Sequence, residues 1–330
     1  MSLPPLSLAL LALVSLAVLV DLCIGDPRRL PHPVVGIGHM IAALEQAWNH
    51  GTSRARRWRG ALLTTLVVVG TYTLAWAVLA LLARVNLWLA FAAELWLLAT
   101  TLSIKGLADA ARAVATPLAR DDLPASREAL AMIVGRDTER LDEAELVRGA
   151  VETVAENTVD GITAPLFWAL LGGAPLALAY KAVNTLDSMV GYRSPRFADF
   201  GYASAKLDDL ANWLPARLTA LTLWLAAWAM PGARCKETLT TTWRQAPRHP
   251  SPNAGWPEAM VAQLLGVQLG GTNVYSGVAS QRAVLGVSLK EGGEPLAVGH
   301  IPQAIRHMHG GWLVFLLLMA LAVWIKEGLT

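Results

Sequence analysis

The chain has 330 residues, of which 54% are hydrophobic and only 16% are charged, and it contains 13 tryptophans. This composition excludes an ordinary soluble domain and is typical of an integral membrane protein. The formal net charge of +2, with no basic stripe along the sequence, argues against nucleic acid as a partner. Cys23 and Cys235 lie far apart without metal-ligand spacing, so we expect neither a disulfide framework nor a zinc site.

Several apolar segments are candidate membrane spans. In chain order they are 3–20, 62–83, 87–102, 162–179, 214–230 and 312–325. The first lacks a basic leader and a small-residue cleavage site, so we expect a retained span and not a signal peptide. Gly172, Gly173 and Pro175 interrupt the fourth span, which predicts a broken or re-entrant helix. The sequence therefore predicts an all-α, polytopic integral membrane protein, with residues 1–330 in a single membrane domain.

Basic residues set the expected orientation. Arginines are concentrated between the first two spans, in residues 21–60, whereas residues 1–5 carry no basic side chain. The positive-inside rule therefore predicts that this loop is cytoplasmic. Three crossings return residues 103–160 to the same side, where a charge-rich sequence predicts a cytoplasmic helical insertion. Asp142 is expected to cap a helix within it.

The run AVETVAENTVDG carries the first group of candidate site residues. Glu152, Glu156 and Asp160 are spaced four residues apart, so a continuing helix places the acids on one face, with Asn157 beside them. A solvated helix face is the simpler interpretation. Because the acids lead into an apolar segment, a site for a cation or a positively charged partner group is favoured.

The run YKAVNTLDSMVGYRSP follows the interrupted span. Lys181, Asn184 and Ser188 share a helical face, and Asp187 lies close to it. A lysine that merely extends its amine to the membrane surface would not need Asn184 and Asp187 beside it. The pattern therefore favours binding of phosphate or carboxylate oxygens in a region of low dielectric constant.

The run AKLDDLANWLPARLTA supplies a second group of acids. Asp208 and Asp209 are adjacent, and Asn212 follows Asp208 by one helical turn. Two aspartates and an amide suit Mg²⁺, which takes oxygen ligands and keeps waters and substrate phosphates. Arg217 lies just inside an apolar span, where a lipid-facing arginine is costly, so we expect it to face inward and to be paired.

The run RHPSPNAGWPEAMVAQLLGVQLGGTNVYSG is the last polar segment. Its prolines and glycines predict a rigid loop, then an apolar helix opened by Glu258, then a polar turn at Gly270 and Gly271. Other candidate side chains in these elements are His249, Ser251, Asn253, Asn273 and Tyr275. The chain contains no P-loop motif, so a nucleotide must be bound by another architecture.

Taken together, these motifs resemble the adenosylcobinamide-phosphate synthase family of cobalamin biosynthesis, the membrane proteins called CobD or CbiB. The matching segments are DPRRLPHPV near the start, which contains His32, followed by AVETVAEN, YKAVNTLDSMVGY, LDDLANWLPARLTA and HPSPNAGWPEA. One departure is the run SAKL before Asp208, where the family pattern has an Ala-Arg-Leu type run. Lys206 keeps the charge there but lacks the guanidinium fork for a bidentate contact.

The resemblance implies an ATP-dependent ligation. A free propionate carboxylate of adenosylcobyric acid is joined to aminopropanol phosphate or ethanolamine phosphate, which gives adenosylcobinamide phosphate. ATP and Mg²⁺ are the implied cofactors, and the corrinoid is a substrate and not a prosthetic group. The implied location is the inner membrane of the cell, among lipid, with the active site facing the cytoplasm. A homo-oligomer, or association with other cobalamin-pathway membrane enzymes, is left open.

Roles follow from the resemblance and from residue type. The catalytic candidates are Glu152, Glu156, Asn157, Lys181, Asn184, Asp187 and His249. The substrate-binding candidates are His32, Lys206, Asn212, Arg217, Ser251, Asn253, Glu258 and Tyr275. The metal candidates are Asp160, Asp208 and Asp209. The alternatives are a membrane transporter, which binds its substrate without consuming ATP, and a non-enzymatic membrane sensor similar to AmpE.

Overall fold

A computed structural model of the protein describes residues 4–25, 32–275 and 277–329. Most of the DPRRLPHPV motif, residues 26–31, lies outside the described residues. The described part of the chain is mostly helical and divides into two compact units. The first unit is drawn from 1–103, 160–212 and 319–330, and the second from 104–159 and 213–318.

The first unit is entirely helical in its described part. Its helices are α1 (Leu8–Ile24), α2 (Pro33–Trp48), α3 (Ser53–Val85), α4 (Leu87–Ala99), α8 (Ala164–Val190) and α9 (Tyr202–Ala211), with the last residues of α13 (His300–Gly328). Its core is formed where α2, α3 and α8 pack around the buried Phe200 ring. Gly60 allows this approach, because a Cβ atom there would lie 1.8 Å from the Phe200 carbonyl oxygen. The packing of α9 against α8 and α3 then fixes the polar residues of α9 beside those of α8.

The predicted break in the fourth span is confirmed. Helix α8 is interrupted at Gly172 and Gly173, and Gly173 has φ +64° and ψ −160°, a conformation open essentially to glycine alone. The carboxylate of Glu94 accepts a hydrogen bond from the backbone N–H of Ala174, the first residue beyond the break. This bond satisfies a backbone donor that the interrupted helix leaves without its usual partner.

The second unit combines short helices with a hairpin. Its helices are α5 (Ile104–Leu118), α6 (Leu123–Ala131), α7 (Glu143–Thr158), α10 (Trp213–Ala227), α11 (Thr238–Gln245) and α12 (Gly255–Leu265), with the first part of α13. Asp142 caps α7 as predicted: its carboxylate accepts from the Glu145 N–H at 2.9 Å, and the Glu145 carboxylate accepts from the Asp142 N–H at 3.0 Å. This reciprocal capping box fixes where α7 begins.

The prediction of a polar turn around Gly270 and Gly271 is wrong. Both glycines lie in a strand, β1 (Gln268–Tyr275), which pairs antiparallel with β2 (Val278–Gly286). The register is irregular between Leu269 and Gly271, and both glycines have positive φ, so the strand bends where the sequence resembles a turn. The pairing places Arg282 of β2 opposite Gly271.

Four runs of helix in the described chain are long and apolar enough to cross a membrane: Ser53–Val85, Leu87–Leu118, Glu143–Val190 and His300–Gly328. Together with the helical fold, they confirm a polytopic, all-α membrane architecture with only a small sheet. Helix α1 is apolar but shorter, and the proposed span 214–230 falls on α10, which has 15 residues. A π-helical turn, Val159–Thr163, joins α7 to α8.

Candidate functional site

Polar side chains from three motifs meet around Asn184 in the first unit. The Asn184 Nδ2 donates to Asp160 Oδ2 at 3.3 Å, and its Oδ1 accepts from Lys181 Nζ at 3.5 Å. The same side chain hydrogen-bonds to Asp208. Asp160 lies in the π-helical turn, Lys181 in α8 and Asp208 in α9. The fold therefore brings predicted residues from separate motifs into one place.

Two buried side chains support Asp208 from behind. The Asn212 Nδ2 donates to both Asp208 carboxylate oxygens at 3.1 Å, and the Tyr180 hydroxyl donates to Asn212 Oδ1 at 2.8 Å. Asn212 was predicted to bind substrate, but its amide is directed at Asp208. Tyr180 was not predicted, because a tyrosine at the end of an apolar run resembles a packing residue. Both residues orient Asp208.

Electrostatics in this region disfavour closely spaced negative charges. Burial, followed by the negative charge of Asp187, raises the pKa of Asp208 to about 7. Asp209, the neighbour of Asp208 in sequence, instead forms a partly exposed ion pair with Lys206 at 2.8 Å. We call the group Asp160, Lys181, Asn184, Asp187, Asp208 and Asn212 the aspartate cluster. Within the described residues, no group of three or more His, Cys, Asp or Glu side chains has an arrangement that could hold a metal ion.

A second polar group lies in the second unit, and part of it is structural. Both oxygens of the buried Glu152 carboxylate are engaged: Oε2 with Arg136 Nη2 at 2.5 Å and Oε1 with the Gly270 N–H at 2.8 Å. Arg136 also donates to Asn273 Oδ1 at 2.5 Å, and Arg148 donates to the Gly270 carbonyl and to Asn273. These bonds attach β1 to α7, so Glu152 has a complete structural role.

The remaining groups of this region lie around Glu258 in α12. The Glu258 Oε1 is 3.7 Å from His249 Nε2, and both side chains are buried. Burial raises the pKa of Glu258 well above its usual range, and the negative charges of Glu156 and Glu152 add to this effect. The positive charge of Arg282 in β2 opposes this effect and lowers the pKa of the same carboxylate. We call Glu152, Glu156, His249, Glu258 and Arg282 the glutamate cluster.

Arg282 and the pair Arg136 and Arg148 were missed by sequence reasoning. Each lies outside the polar motifs, so no spacing in the sequence connects it with the candidate residues. The Arg282 Nη2 donates to the hydroxyl of Tyr275 at 3.0 Å, so Tyr275, a predicted substrate ligand, lies beside this half-buried cation. Burial, followed by the positive charge of Arg282, lowers the pKa of His249.

Arg217, which was predicted to face inward and to be paired, contacts two aromatic rings and polar groups of the protein. Its guanidinium lies over the indole rings of Trp213 and Trp256, at 4.3 and 4.8 Å from the ring centroids. It also donates to the Trp213 carbonyl oxygen at 2.6 Å and to Asn253 Oδ1 at 3.4 Å. The Ser251 Oγ accepts from the Asn253 N–H at 3.2 Å. These contacts hold the loop before α12 and engage Arg217, Ser251 and Asn253 with protein partners.

Two further predicted residues make hydrogen bonds to the backbone of their own helices. The His32 Nδ1 accepts from the Val34 N–H at 3.3 Å and caps α2. The Asn157 Nδ2 donates to the Thr153 carbonyl oxygen at 3.0 Å, within α7. The π-helical turn changes the helical register after Asn157, so the expected single face of Glu152, Glu156 and Asp160 is not continued.

The fold and these clusters define a helical membrane protein in which ionisable side chains gather in half-buried positions. The model of the family described as CobD/Cbib protein matches residues 14–308. The chain belongs to this CobD/CbiB family. The family places the chain in cobalamin biosynthesis.

Similar proteins cover nearly the whole chain. The cobalamin biosynthesis protein CobD of Halalkalibacterium halodurans is 48% identical over 94% of this chain and 96% of its own length. The protein of the same name from Yersinia enterocolitica is 46% identical over 92% and 95%. The cobalamin biosynthesis protein CbiB of Salmonella paratyphi B is 44% identical over 96% and 97%. No solved structure matches the chain.

Proposed function

We propose that the protein is an ATP-dependent ligase that joins a carboxylate to an amine. Its substrates are a free propionate carboxylate of adenosylcobyric acid and the amine of aminopropanol phosphate or ethanolamine phosphate. The product is adenosylcobinamide phosphate. The enzyme acts from the cytoplasmic face of the inner membrane. Membership of a cobalamin biosynthesis family, over nearly the full chain, supports this choice of substrates.

The observation that carries the proposal is the aspartate cluster. A carboxylate is a poor electrophile, and a ligase commonly activates it by phosphoryl transfer, which needs Mg²⁺ and cations around the phosphate oxygens. Mg²⁺ characteristically takes one or two protein carboxylates and leaves its other positions to waters and phosphates. Asp208, with Asp187 near enough for their charges to interact, fits this requirement, because a bound cation would relieve the repulsion between the two carboxylates.

Each member of the aspartate cluster then has a task. Asp208 and Asp187 would hold Mg²⁺, and Asn212 and Tyr180 orient Asp208 from behind. Lys181, whose amine reaches Asn184 at 3.5 Å, neutralises phosphate oxygens. When bound, ATP would supply the phosphoryl group that activates the substrate carboxylate, and Mg²⁺ would neutralise the phosphate oxygens. Asp160, predicted as a metal ligand, orients Asn184.

The test is a reconstitution. Protein purified in detergent is given ATP, Mg²⁺, adenosylcobyric acid and aminopropanol phosphate, and ADP and the amide are measured together. We expect ADP and amide to form in equal amounts, and neither to form when Mg²⁺ is removed. Binding of the corrinoid by folded protein, without ADP or amide, would exclude the ligase and favour a transporter or a sensor. Repetition with ethanolamine phosphate identifies the preferred amine.

A further inference from the structure

His249 and Glu258 face each other in the glutamate cluster, and the hydrogen bonds that attach β1 to α7 do not involve them. Both side chains are buried, with 6% and 1% of their surface exposed, and His249 Nε2 lies 3.7 Å from Glu258 Oε1. Within the described residues, these two atoms are buried without a hydrogen-bond partner. Orphaned buried polar atoms are uncommon and cost stability, so a directed pair of them indicates a working site.

The loop before α12 determines which nitrogen of His249 carries the proton. The Ser251 N–H donates to His249 Nδ1 at 3.1 Å, while the Ser251 carbonyl oxygen is further away, at 3.3 Å. We assign Nδ1 as the acceptor from the shorter contact. A neutral imidazole then carries its proton on Nε2, which faces Glu258. His249 is therefore arranged to donate a hydrogen bond to Glu258.

The position of His249 is fixed by close backbone packing. Gly255, the first residue of α12, lies so near that a Cβ atom there would be 2.6 Å from the His249 Cβ and 2.3 Å from the Ala246 carbonyl oxygen. The imidazole and the first turn of α12, which carries Glu258, are thus held at a set separation. A rigid support of this kind is what a proton-transfer group requires.

The charged groups around the pair come from several elements. On α7 they are Glu152 and Glu156, on the segment before α7 Arg136, and on β2 Arg282. The positive charge of Arg282 lowers the pKa of His249, and the negative charge of Glu152 raises it. Arg217 of α10 is engaged between two indole rings. Burial and the neighbouring glutamates keep the pKa of Glu258 well above its usual range, so its carboxylate is a stronger base than an exposed glutamate.

We propose that Glu258 is the general base of the amide-forming step and that His249 is the positioning residue that donates to it. The proposal depends on the ligase function. The separation of 3.7 Å shortens to a hydrogen bond when Glu258 is ionised, since catalytic contacts are often long before substrate is bound. His249 was predicted to transfer a proton itself, and this proposal gives that role to Glu258.

The substrate amine arrives as an ammonium group, which has no lone pair for attack. One ammonium proton first moves to the Glu258 carboxylate. The freed amine nitrogen then forms the C–N bond to the acyl phosphate carbon, and the bond from that carbon to the phosphate oxygen breaks. A second nitrogen proton leaves with the departing phosphate, and the third remains on the amide nitrogen. Glu258 then returns its proton to solvent.

The decisive variant is Glu258→Gln, assayed with two nucleophiles. Hydroxylamine is unprotonated at neutral pH and attacks an acyl phosphate without a base, giving a hydroxamate. We expect Glu258→Gln to lower amide formation by about 100-fold or more while ADP release and hydroxamate formation stay close to wild type. Glu143→Gln, an exposed glutamate on α7, is the matched control and should behave as wild type in both assays.

The role of His249 is tested by the pH dependence of amide formation. We expect the rate to rise with pH as Glu258 ionises. His249→Asn removes the Nε2 donor, so the rise should move to higher pH, while His249→Gln places a donor near the same point and should restore it. A merely structural histidine would change the rate without moving the pH at which it rises.

The outcomes separate the two proposals. Wild-type protein that yields neither ADP nor hydroxamate would contradict the ligase function itself. Wild-type amide formation in Glu258→Gln, or equal loss of amide and hydroxamate in a folded variant, would overturn the base assignment alone. If Glu258→Gln does not fold, the two His249 variants provide the test. If the rate of amide formation rises at the wild-type pH in both His249→Asn and His249→Gln, the proposal is overturned.

Discussion

The Arg136 guanidinium donates to the Glu152 carboxylate at 2.5 Å, and both side chains are buried. The second carboxylate oxygen accepts from the Gly270 N–H, so the ion pair joins α7 to the hairpin. A buried pair of this kind leaves an uncompensated charge when either partner is removed. We therefore expect Glu152 to stabilise the fold and not to take part in catalysis.

Replacement of Arg136 by Met should destabilise the second unit by about 3–5 kcal/mol. The reason is the charge of Glu152, which would remain buried without its partner. Chemical unfolding in detergent measures the change. Asp109→Asn is the control, because the ion pair of Asp109 with Lys105 is partly exposed and is expected to contribute at most about 1 kcal/mol. Equal stability of the two variants would contradict the structural role of the Arg136 pair.

The stability of the metal-free protein should fall as the pH rises from about 4 to about 7 through the contribution of Asp208. Burial and the Asp187 charge raise the pKa of Asp208 to about 7, against an unfolded value near about 3.9. The folded state therefore binds more protons between these values, and its stabilisation is lost as the pH passes through the folded pKa. Melting temperatures across this range, without Mg²⁺, measure the slope.

Asp208→Asn removes the titrating carboxyl group, so the melting temperature should depend less on pH than in the wild type. Added Mg²⁺ should raise the melting temperature of the wild type most at the alkaline end, where Asp208 is ionised and ready to bind it. An identical slope in wild type and Asp208→Asn would show that Asp208 does not titrate as proposed.

The two adjacent aspartates of α9 should differ in their importance for turnover. Asp208 lies in the aspartate cluster, whereas Asp209 pairs with Lys206 at a partly exposed position. We expect Asp208→Asn to lower the rate of amide formation by about 100-fold or more and Asp209→Asn by about 10-fold. Rates at several Mg²⁺ concentrations provide the comparison. The reverse order would transfer the metal role to Asp209, which was predicted as a metal ligand together with Asp208 and Asp160.

Gly173→Ala should destabilise the first unit by about 1–3 kcal/mol, because φ +64° with ψ −160° is open essentially to glycine alone. A Cβ atom there would also lie 2.6 Å from Glu94 Oε1 and displace the carboxylate that caps the break. Gly70→Ala in α3 is the control, since its Cβ would meet nothing within 4 Å. Thermal unfolding of the two variants should differ clearly; equal stability would mean that the break tolerates a side chain.

Much of the fold could be predicted from the sequence because its signals are strong. Long apolar runs predicted the membrane helices, two glycines with Pro175 predicted the break in α8, and Asp142 predicted the start of α7. The hairpin was missed, because Gly270 and Gly271 resemble a turn and the bend of β1 depends on pairing with β2. Glycines with positive φ occur both in turns and in strand bends, so residue type alone does not separate the two.

The sequence indicated which residues lie together in the candidate site better than it indicated the role of each one. The structure joins Asp160, Lys181, Asn184 and Asp208, which lie in separate motifs, in one cluster. It also shows that Glu152 and Arg217 are engaged by protein partners, and these contacts depend on Arg136, Trp213 and Trp256. Residue type indicates which chemistry a side chain can perform. Only the fold determines whether its polar atoms are already occupied.

The most direct measurement follows the oxygen of the substrate carboxylate. Adenosylcobyric acid whose free carboxylate carries oxygen-18 is incubated with the protein, ATP, Mg²⁺ and aminopropanol phosphate, and the inorganic phosphate is analysed by mass spectrometry. Activation as an acyl phosphate transfers one carboxylate oxygen to phosphate, so we expect labelled phosphate in step with ADP and amide. Amide formation without ADP and without labelled phosphate would contradict the proposed ligation.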